Sequence, residues 1–159
     1  MNSAAKAWRP SETFADYARR LLELHRFSLR GENDSDEADA VRDLMDEAYY
    51  RLTAEERELS GRLSADLYSI EDDRADRRIE DASPQSEKGL AEANASRLNA
   101  DWVMALELLA QWKEHVSPIE LSSLRAELWN EAGLPEVAAE FHRHASELAW
   151  ERIDARAAG

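Results

Sequence analysis

Apolar residues recur every three or four positions along most of the chain, which is the spacing of helices that bury one face. The first such stripe occupies residues 14–29 and is followed by Gly31, a residue typical of the position just past a helix C-terminus. A second stripe follows a cluster of acidic and helix-capping residues. Thr53 and Glu56 then form a capping-box pattern, which predicts the start of a third helix. The N-terminal region, residues 1–71, is therefore predicted to hold three helices.

The apolar pattern stops in the next stretch of the chain. Residues 72–86 are dominated by charged side chains, with Ile79 as the one large apolar residue and Pro84 near the end. Two interpretations stay open: a polar linker between two regions, or a frayed extension of the third helix followed by a loop. In both, Pro84 is expected to stop a helix, because proline lacks a backbone donor and clashes with the preceding turn.

Helical spacing resumes in the C-terminal half, residues 87–159. Pro118 suits the first turn of a helix, and Gly133 opens a turn. No alternating apolar run long enough for a strand occurs in the sequence. The prediction is an all-α protein of about seven helices, arranged as antiparallel hairpins, whose two regions can also pack as one domain. The four apolar stripes of this half cover residues 90–98, 102–112, 119–129 and 137–150.

An internal repeat runs through the C-terminal half, in which Ala100 and Gly133 occupy equivalent turn positions 33 residues apart. In each copy an alanine follows the turn residue by five positions, where a small side chain lets two helix axes approach closely. Helical hairpins repeated at this period resemble the tetratricopeptide repeat over about residues 87–150. The second copy carries the family's small–aromatic–glycine–alanine–alanine spacing at Ala126, Trp129, Gly133, Ala138 and Ala145.

The first copy follows the pattern less closely. It matches at Ala93, Ala105 and Leu109, but Ala100 replaces the turn glycine and the large Trp112 stands where a small residue is expected. The N-terminal region does not show the repeat clearly. Because stacked arrays need about three units with atypical ends, that region is predicted to be either a diverged unit or a cap.

The resemblance implies a concave groove lined by the first helix of each hairpin. The family's carboxylate clamp uses lysine and asparagine on this surface to hold the C-terminal acid of a peptide. Here no lysine is present at those positions and the second unit offers three acids, so the ligand implied is basic or mixed. The lining implied is Glu87, Leu90, Asn94, Arg97 and Leu98 from the first unit, and Glu120, Ser123, Glu127, Asn130 and Glu131 from the second.

The charge balance narrows the classes of partner. Lys and Arg number 20 against 34 Asp and Glu, a net charge of −14, which argues against nucleic acid and anionic membrane surfaces. The acidity also serves solubility. No uncharged run approaches the roughly 20 residues that span a bilayer, and Met1 to Pro10 has no apolar segment, so the expected location is the cytoplasm.

Candidate chemistry is sparse. The chain has no cysteine, no HExxH pattern and no glycine-rich phosphate loop. Glu140 and His144 share a helix face and could ligate a metal, but an ordinary surface pair is the favoured interpretation. The acidic run 34–39 lacks the glycine of a calcium loop. No catalytic, cofactor or metal residue is therefore predicted, and Trp102, Trp112, Trp129 and Trp150 are expected in the core.

The sequence favours a non-catalytic protein-interaction module, an adaptor or scaffold, that uses its helical groove. Two other classes stay open. One is a small acidic chaperone or inhibitor that masks a basic or apolar partner. The other is a helical-bundle enzyme with a site built from histidine and glutamate. Self-association of the chain also stays open.

Overall fold

A computed structural model describes residues 10–72, 84–99 and 101–158 of the chain. Within these residues it contains seven α-helices, one short 3-10 turn and no strand, which confirms the all-α prediction. The described residues form two compact units, one of residues 10–72 and one that begins at residue 84. The helices are α1 (Glu12–Leu29), α2 (Asp36–Tyr49), α3 (Ala54–Asp72), α4 (Pro84–Leu98), α5 (Trp102–Gln111), α6 (Pro118–Glu131) and α7 (Pro135–Ala158), with the 3-10 turn at Lys113–His115.

The first unit, called the three-helix unit, consists of α1 to α3. Helix α1 packs against both α2 and α3. Its buried side chains recur at three- and four-residue spacing, as the apolar stripe predicts. Those side chains are Phe14, Ala18, Leu22 and His25.

Two glycines end helices by the same backbone motif. Gly31 has a φ of 72° and Gly133 a φ of 92°, a left-handed conformation that glycine adopts without steric cost. After α1, the N–H of Glu32 donates to the carbonyl of Phe27 at 2.8 Å, which is the long hydrogen bond of a Schellman motif. The N–H of Leu134 donates in the same way to Trp129 at 2.9 Å. The turns predicted at both glycines are confirmed.

One carboxylate caps two helices of the three-helix unit. Glu56 accepts a hydrogen bond from the Thr53 N–H at 3.1 Å, and its own N–H donates to the Thr53 hydroxyl at 3.2 Å, so the predicted capping box is confirmed. The other oxygen of Glu56 accepts from the N–H and the hydroxyl of Ser11, at 2.9 and 2.6 Å. Ser11 is itself the N-cap of α1 and accepts from the Phe14 N–H. Glu56, 3% exposed, therefore ties the N-termini of α1 and α3 together.

The second unit, called the four-helix unit, consists of α4 to α7. Each helix packs against the next one along the chain, and short turns connect α4 with α5 and α6 with α7. The alanines that the repeat places at close helix contacts are all buried, which is compatible with a helical repeat. They are Ala93, Ala105, Ala126 and Ala138.

Proline opens three of the four helices in this unit. Pro118 does so as predicted, and Pro135 does the same for α7. Pro84 is also the first residue of its helix, and the expectation that it stops a preceding helix falls on residues that are not described. The first turn needs no proline N–H and the ring already holds a helical φ, so proline is well suited to this position. The predicted linker 72–86 thus ends inside α4, while residues 73–83 lie outside the described part of the chain.

Helix α4 and the end of α5 approach each other closely at Gly89. A Cβ atom added to Gly89 would lie 2.3 Å from Cγ of Trp112, which is far inside van der Waals contact. Gly89 is buried, and the absence of its side chain makes room for the indole. The large residue that departs from the repeat pattern at position 112 is therefore accommodated by a glycine on the facing helix.

The tryptophans differ in their exposure. Trp102 and Trp129 are buried and Trp112 is half-buried. Trp150 is 66% exposed, so the prediction that it lies in the core is wrong. It lies near the C-terminal end of α7, where Ile153 is also exposed. Trp8 lies outside the described residues.

Gly61 in the middle of α3 gives a simple test of the three-helix unit. It is exposed, and an added Cβ would meet no atom within 4 Å. Because glycine costs about 0.5–1 kcal/mol relative to alanine inside a helix, Gly61→Ala is expected to stabilise this unit by that amount. Urea denaturation followed by far-UV circular dichroism measures the change. A lower urea midpoint for the variant would contradict the assignment of Gly61 to an open helix face.

Candidate binding groove

A recess of the four-helix unit lies between α4 and α6. It is a cavity of about 340 Å³ and is called here the α4–α6 groove. Most of its lining is apolar, and the polar lining comes from three side chains of the two outer helices. The lining residues are Leu90, Ala91, Ala93, Asn94 and Arg97 from α4, Leu109 from α5, and Glu120, Leu124 and Leu128 from α6.

The order of packing explains why a groove forms there. Helix α5 packs against both α4 and α6, so these two flank it, and Leu109 of α5 lies at the base of the groove. Small residues on α4 keep the gap open, because Ala91 and Ala93 reach only a short way toward α6. The groove is thus a consequence of stacked helical hairpins with small side chains on one wall.

An ion pair bridges α4 and α6 at one end of the groove. The Arg97 Nε donates to both carboxylate oxygens of Glu131, at 2.9 and 3.0 Å, and Nη2 also contacts Glu131. The remaining nitrogen, Nη1, donates to Glu127 at 3.1 Å. All three nitrogens of the guanidinium therefore already have carboxylate partners. The bridge joins the C-terminal ends of both helices, so α4 and α6 run in the same direction.

The electrostatics of the bridge keep Arg97 charged. Hydrogen bonds from its guanidinium to Glu131 raise the pKa of Arg97, burial lowers it by less, and the charges of Glu131 and Glu127 raise it further. The side chains of Arg97 and Glu131 are about a third exposed, at 30% and 32%, so the pair contributes modestly to stability. Its main effect is geometric, because a bidentate arginine–carboxylate pair fixes the relative position of two helices.

The other two polar residues of the groove, Asn94 and Glu120, are not part of this ion pair. Glu120 caps nothing with its side chain, and within the described ranges its carboxylate has no hydrogen-bond or ion-pair partner. The amide of Asn94 likewise makes no hydrogen bond to a described residue. Both side chains are exposed. The groove therefore offers one carboxylate and one amide beside an apolar lining.

The structure brings together part of the residue set that the sequence places in a groove. Leu90, Asn94, Arg97 and Glu120 line the cavity. Glu127 and Glu131 do not line it but hold Arg97. Glu87, Ser123, Asn130 and Leu98 are not among the lining residues, and the Ser123 hydroxyl donates to the carbonyl of Ile119 within its own helix.

Sequence reasoning missed the apolar part of the groove. Leu124 and Leu128 follow the apolar stripe of α6, and Leu109 that of α5, so all three are expected in a closed core. It also missed the pairing of Arg97 with Glu131. Nothing in the local sequence around either residue indicates that pairing, because the two residues are 34 apart in the chain.

The Glu140–His144 pair is not the surface pair that the sequence favours. Glu140 is 4% exposed and His144 is 5% exposed, one turn apart on the buried side of α7. Glu140 also accepts from the guanidinium of Arg143 at 3.4 Å. In the described part of the chain, no group of three or more His, Asp and Glu residues is placed to hold a metal ion.

A second, smaller cavity of about 70 Å³ lies in the three-helix unit beside His25 and Tyr68. Its cationic residue is Arg42, whose guanidinium donates to the carbonyl and side-chain oxygens of Asn33 at 2.8 and 2.6 Å and to Asp39 at 2.8 Å. With its volume small and its charge already paired, this cavity is a weaker candidate than the α4–α6 groove.

Comparison with family models, curated proteins and solved structures gives no match. No helix within the described ranges is long and apolar enough to cross a membrane. The class that the fold defines is therefore an all-helical protein with packed neighbouring helices, and the function has to be argued from the groove itself.

Proposed function

We propose that the protein is a non-catalytic polypeptide-binding module of the tetratricopeptide type, and that it binds through the α4–α6 groove. The observation that carries the proposal is an apolar recess of about 340 Å³ between two helices that run in the same direction. Sites that bind ligands are mostly apolar clefts of roughly 300–1,000 Å³ with a few polar groups that fix orientation. The groove has this composition.

The chemistry of the lining favours a polypeptide over a small metabolite. Leu90 and Leu124, which are partly exposed, can bury an apolar side chain of a partner. The amide of Asn94 can donate to and accept from a peptide backbone, which no small apolar ligand would use. The order of small residues at the helix contacts supports the tetratricopeptide assignment, because those contacts set the distance between the stacked hairpins.

Filling the groove tests this function. Ala91 is an exposed lining residue, so Ala91→Trp places an indole in the recess without changing the buried core. The ligands are 12-residue peptides enriched on the wild-type protein from a random phage-displayed library. Their affinity for Ala91→Trp, measured by fluorescence anisotropy, is expected to fall at least about tenfold, which corresponds to about 1.4 kcal/mol.

Ala139→Trp is the matched control for this experiment. Ala139 is an exposed alanine in the helix α7 and does not line the groove, so the same substitution there should leave the affinity unchanged. Equal binding to the wild-type protein and to Ala91→Trp would contradict the proposed function, as would the failure of any peptide to enrich above background.

A further inference from the structure

We propose that the α4–α6 groove selects basic segments: an apolar side chain enters the recess while an arginine or lysine beside it pairs with Glu120. The inference rests on the proposed function and adds the chemical class of the partner. It follows from a difference between the charged side chains at the groove, some of which already have a partner in the protein. The one cation is held by carboxylates of the protein itself, whereas one of the anions is not.

The engagement of Arg97 disfavours acidic ligands. Its three guanidinium nitrogens contact Glu131 and Glu127, so an incoming carboxylate would have to displace an existing partner. The same ligand would also approach Glu120. One arginine with three glutamates leaves two negative charges around the groove, and like charges brought together cost affinity.

Glu120 is the residue available to a cation. Its carboxylate lines the recess, is exposed, and has no side-chain partner among the residues that the structure describes. Water exclusion by a bound apolar side chain would strengthen an ion pair at this position, because the effective dielectric falls as the groove is covered. A basic side chain of the partner therefore gains more at Glu120 than at a fully open acidic residue.

The spacing of the two anchor points predicts the pattern of the partner. Glu120 and Leu124 are four residues apart on α6, so their side chains are neighbours, with Cβ atoms about 5–6 Å apart. In an extended segment, side chains two residues apart are separated by about 6–7 Å and point to the same side. An extended segment with a large apolar residue two positions from an arginine or lysine meets this spacing.

The peptide pool enriched on the wild-type protein tests this inference. Arginine or lysine two positions from leucine, isoleucine, phenylalanine or methionine is expected to be over-represented relative to the starting library. For the strongest peptide, Glu120→Gln should weaken binding about three- to tenfold in 50 mM salt, and raising the salt to 300 mM should narrow that difference. Anisotropy titrations with the wild-type protein and the variant measure both effects.

Glu151→Gln is the matched control, because Glu151 is an exposed acid of α7 outside the groove. Equal losses for Glu120→Gln and Glu151→Gln, or an enriched pool that is neutral or acidic, would overturn the inference. If either result occurs but the enriched peptides bind Ala91→Trp more weakly than the wild type, the groove remains the binding site and only the proposed charge selection is wrong. Peptides that bind Ala91→Trp as tightly as the wild type would overturn the proposed function instead.

Discussion

Gly89→Ala is expected to destabilise the four-helix unit by about 1–2 kcal/mol, although glycine-to-alanine changes inside helices ordinarily stabilise. The added methyl group would lie 2.3 Å from Cγ and 2.7 Å from Cδ1 and Cδ2 of Trp112. These atoms are at the root of the indole, so a rotation of the ring end does not relieve the clash. Overpacking costs about 1–3 kcal/mol, and a contact this short belongs in the upper part of that range, about 2–3 kcal/mol. The gain of about 1 kcal/mol from helix propensity offsets only part of this cost.

A double-mutant cycle separates the clash from the propensity. A Trp112→Ala background removes the three atoms nearest the added methyl group, so Gly89→Ala should then stabilise the unit by about 0.5–1 kcal/mol. Urea midpoints from far-UV circular dichroism and tryptophan emission provide the four free energies, since Trp102 and Trp129 are buried in this unit. If Gly89→Ala changes the free energy of unfolding in the same direction with and without Trp112, Gly89 and Trp112 do not touch.

This contact shows both how far the repeat pattern predicts the fold and where it fails. The repeat pattern predicts a small residue at position 112, and the tryptophan at that position departs from the pattern. Its compensation is Gly89, which lies on another helix and belongs to no motif. Helices and their ends can be predicted because they depend on local spacing and capping. The pairing of a large residue on one helix with a small residue on another cannot, because it depends on how the helices pack.

The position of Pro84 illustrates a second limit. Proline is equally compatible with the end of one helix and the first turn of the next, and only the structure of the following residues decides between them. Residues 84–89 contain no large apolar residue, so no apolar stripe marks this stretch. The helix is nevertheless formed from Pro84 onward, so the apolar pattern alone places its start several residues too late.

The residues of the groove also divide into those that the sequence predicts and those that it does not. Leu90, Asn94 and Glu120 line it at positions that the helical-repeat analogy indicates. The pairing of Arg97 with Glu131 joins residues 34 apart in the chain, and no local signal reports it. That pairing changes how the groove should be tested. Removing all the acids of α6 together would also break the bridge between α4 and α6, so Glu120 alone is the informative position.

Glu56→Gln is expected to destabilise the three-helix unit by about 2 kcal/mol at pH 7. The carboxylate accepts hydrogen bonds from two donors of Ser11 and one of Thr53, and hydrogen bonds to a charged group contribute about 1.5–3 kcal/mol. Glutamine keeps one acceptor oxygen, but its other polar atom is an NH2 group, which faces the donors of Ser11 or Thr53 and cannot accept from them. Because the N-termini of α1 and α3 both depend on this side chain, the loss should appear in both helices as faster amide hydrogen exchange.

The pH dependence identifies the charge as the cause. Burial raises the pKa of Glu56, but the hydrogen bonds from Ser11 and Thr53 lower it by more, so the pKa in the folded protein lies below its ordinary value of 4.5. A carboxyl group with a lowered folded-state pKa contributes its full stability above the unfolded-state pKa and loses it as the pH falls through the folded-state pKa. The difference between the wild type and Glu56→Gln should therefore be constant from pH 7 to about pH 5 and shrink below it.

Glu55→Gln is the control that isolates this effect, because Glu55 is the neighbouring acid in the first turn of α3 but is exposed. Both variants remove one negative charge beside the positive end of the same helix dipole, so they share that loss of a few tenths of a kcal/mol. Urea midpoints between pH 3 and pH 7 should separate them, with a large, pH-dependent loss for Glu56→Gln and a small one for Glu55→Gln. A loss for Glu56→Gln that stays constant down to pH 3 would show that the negative charge of Glu56 is not its cause.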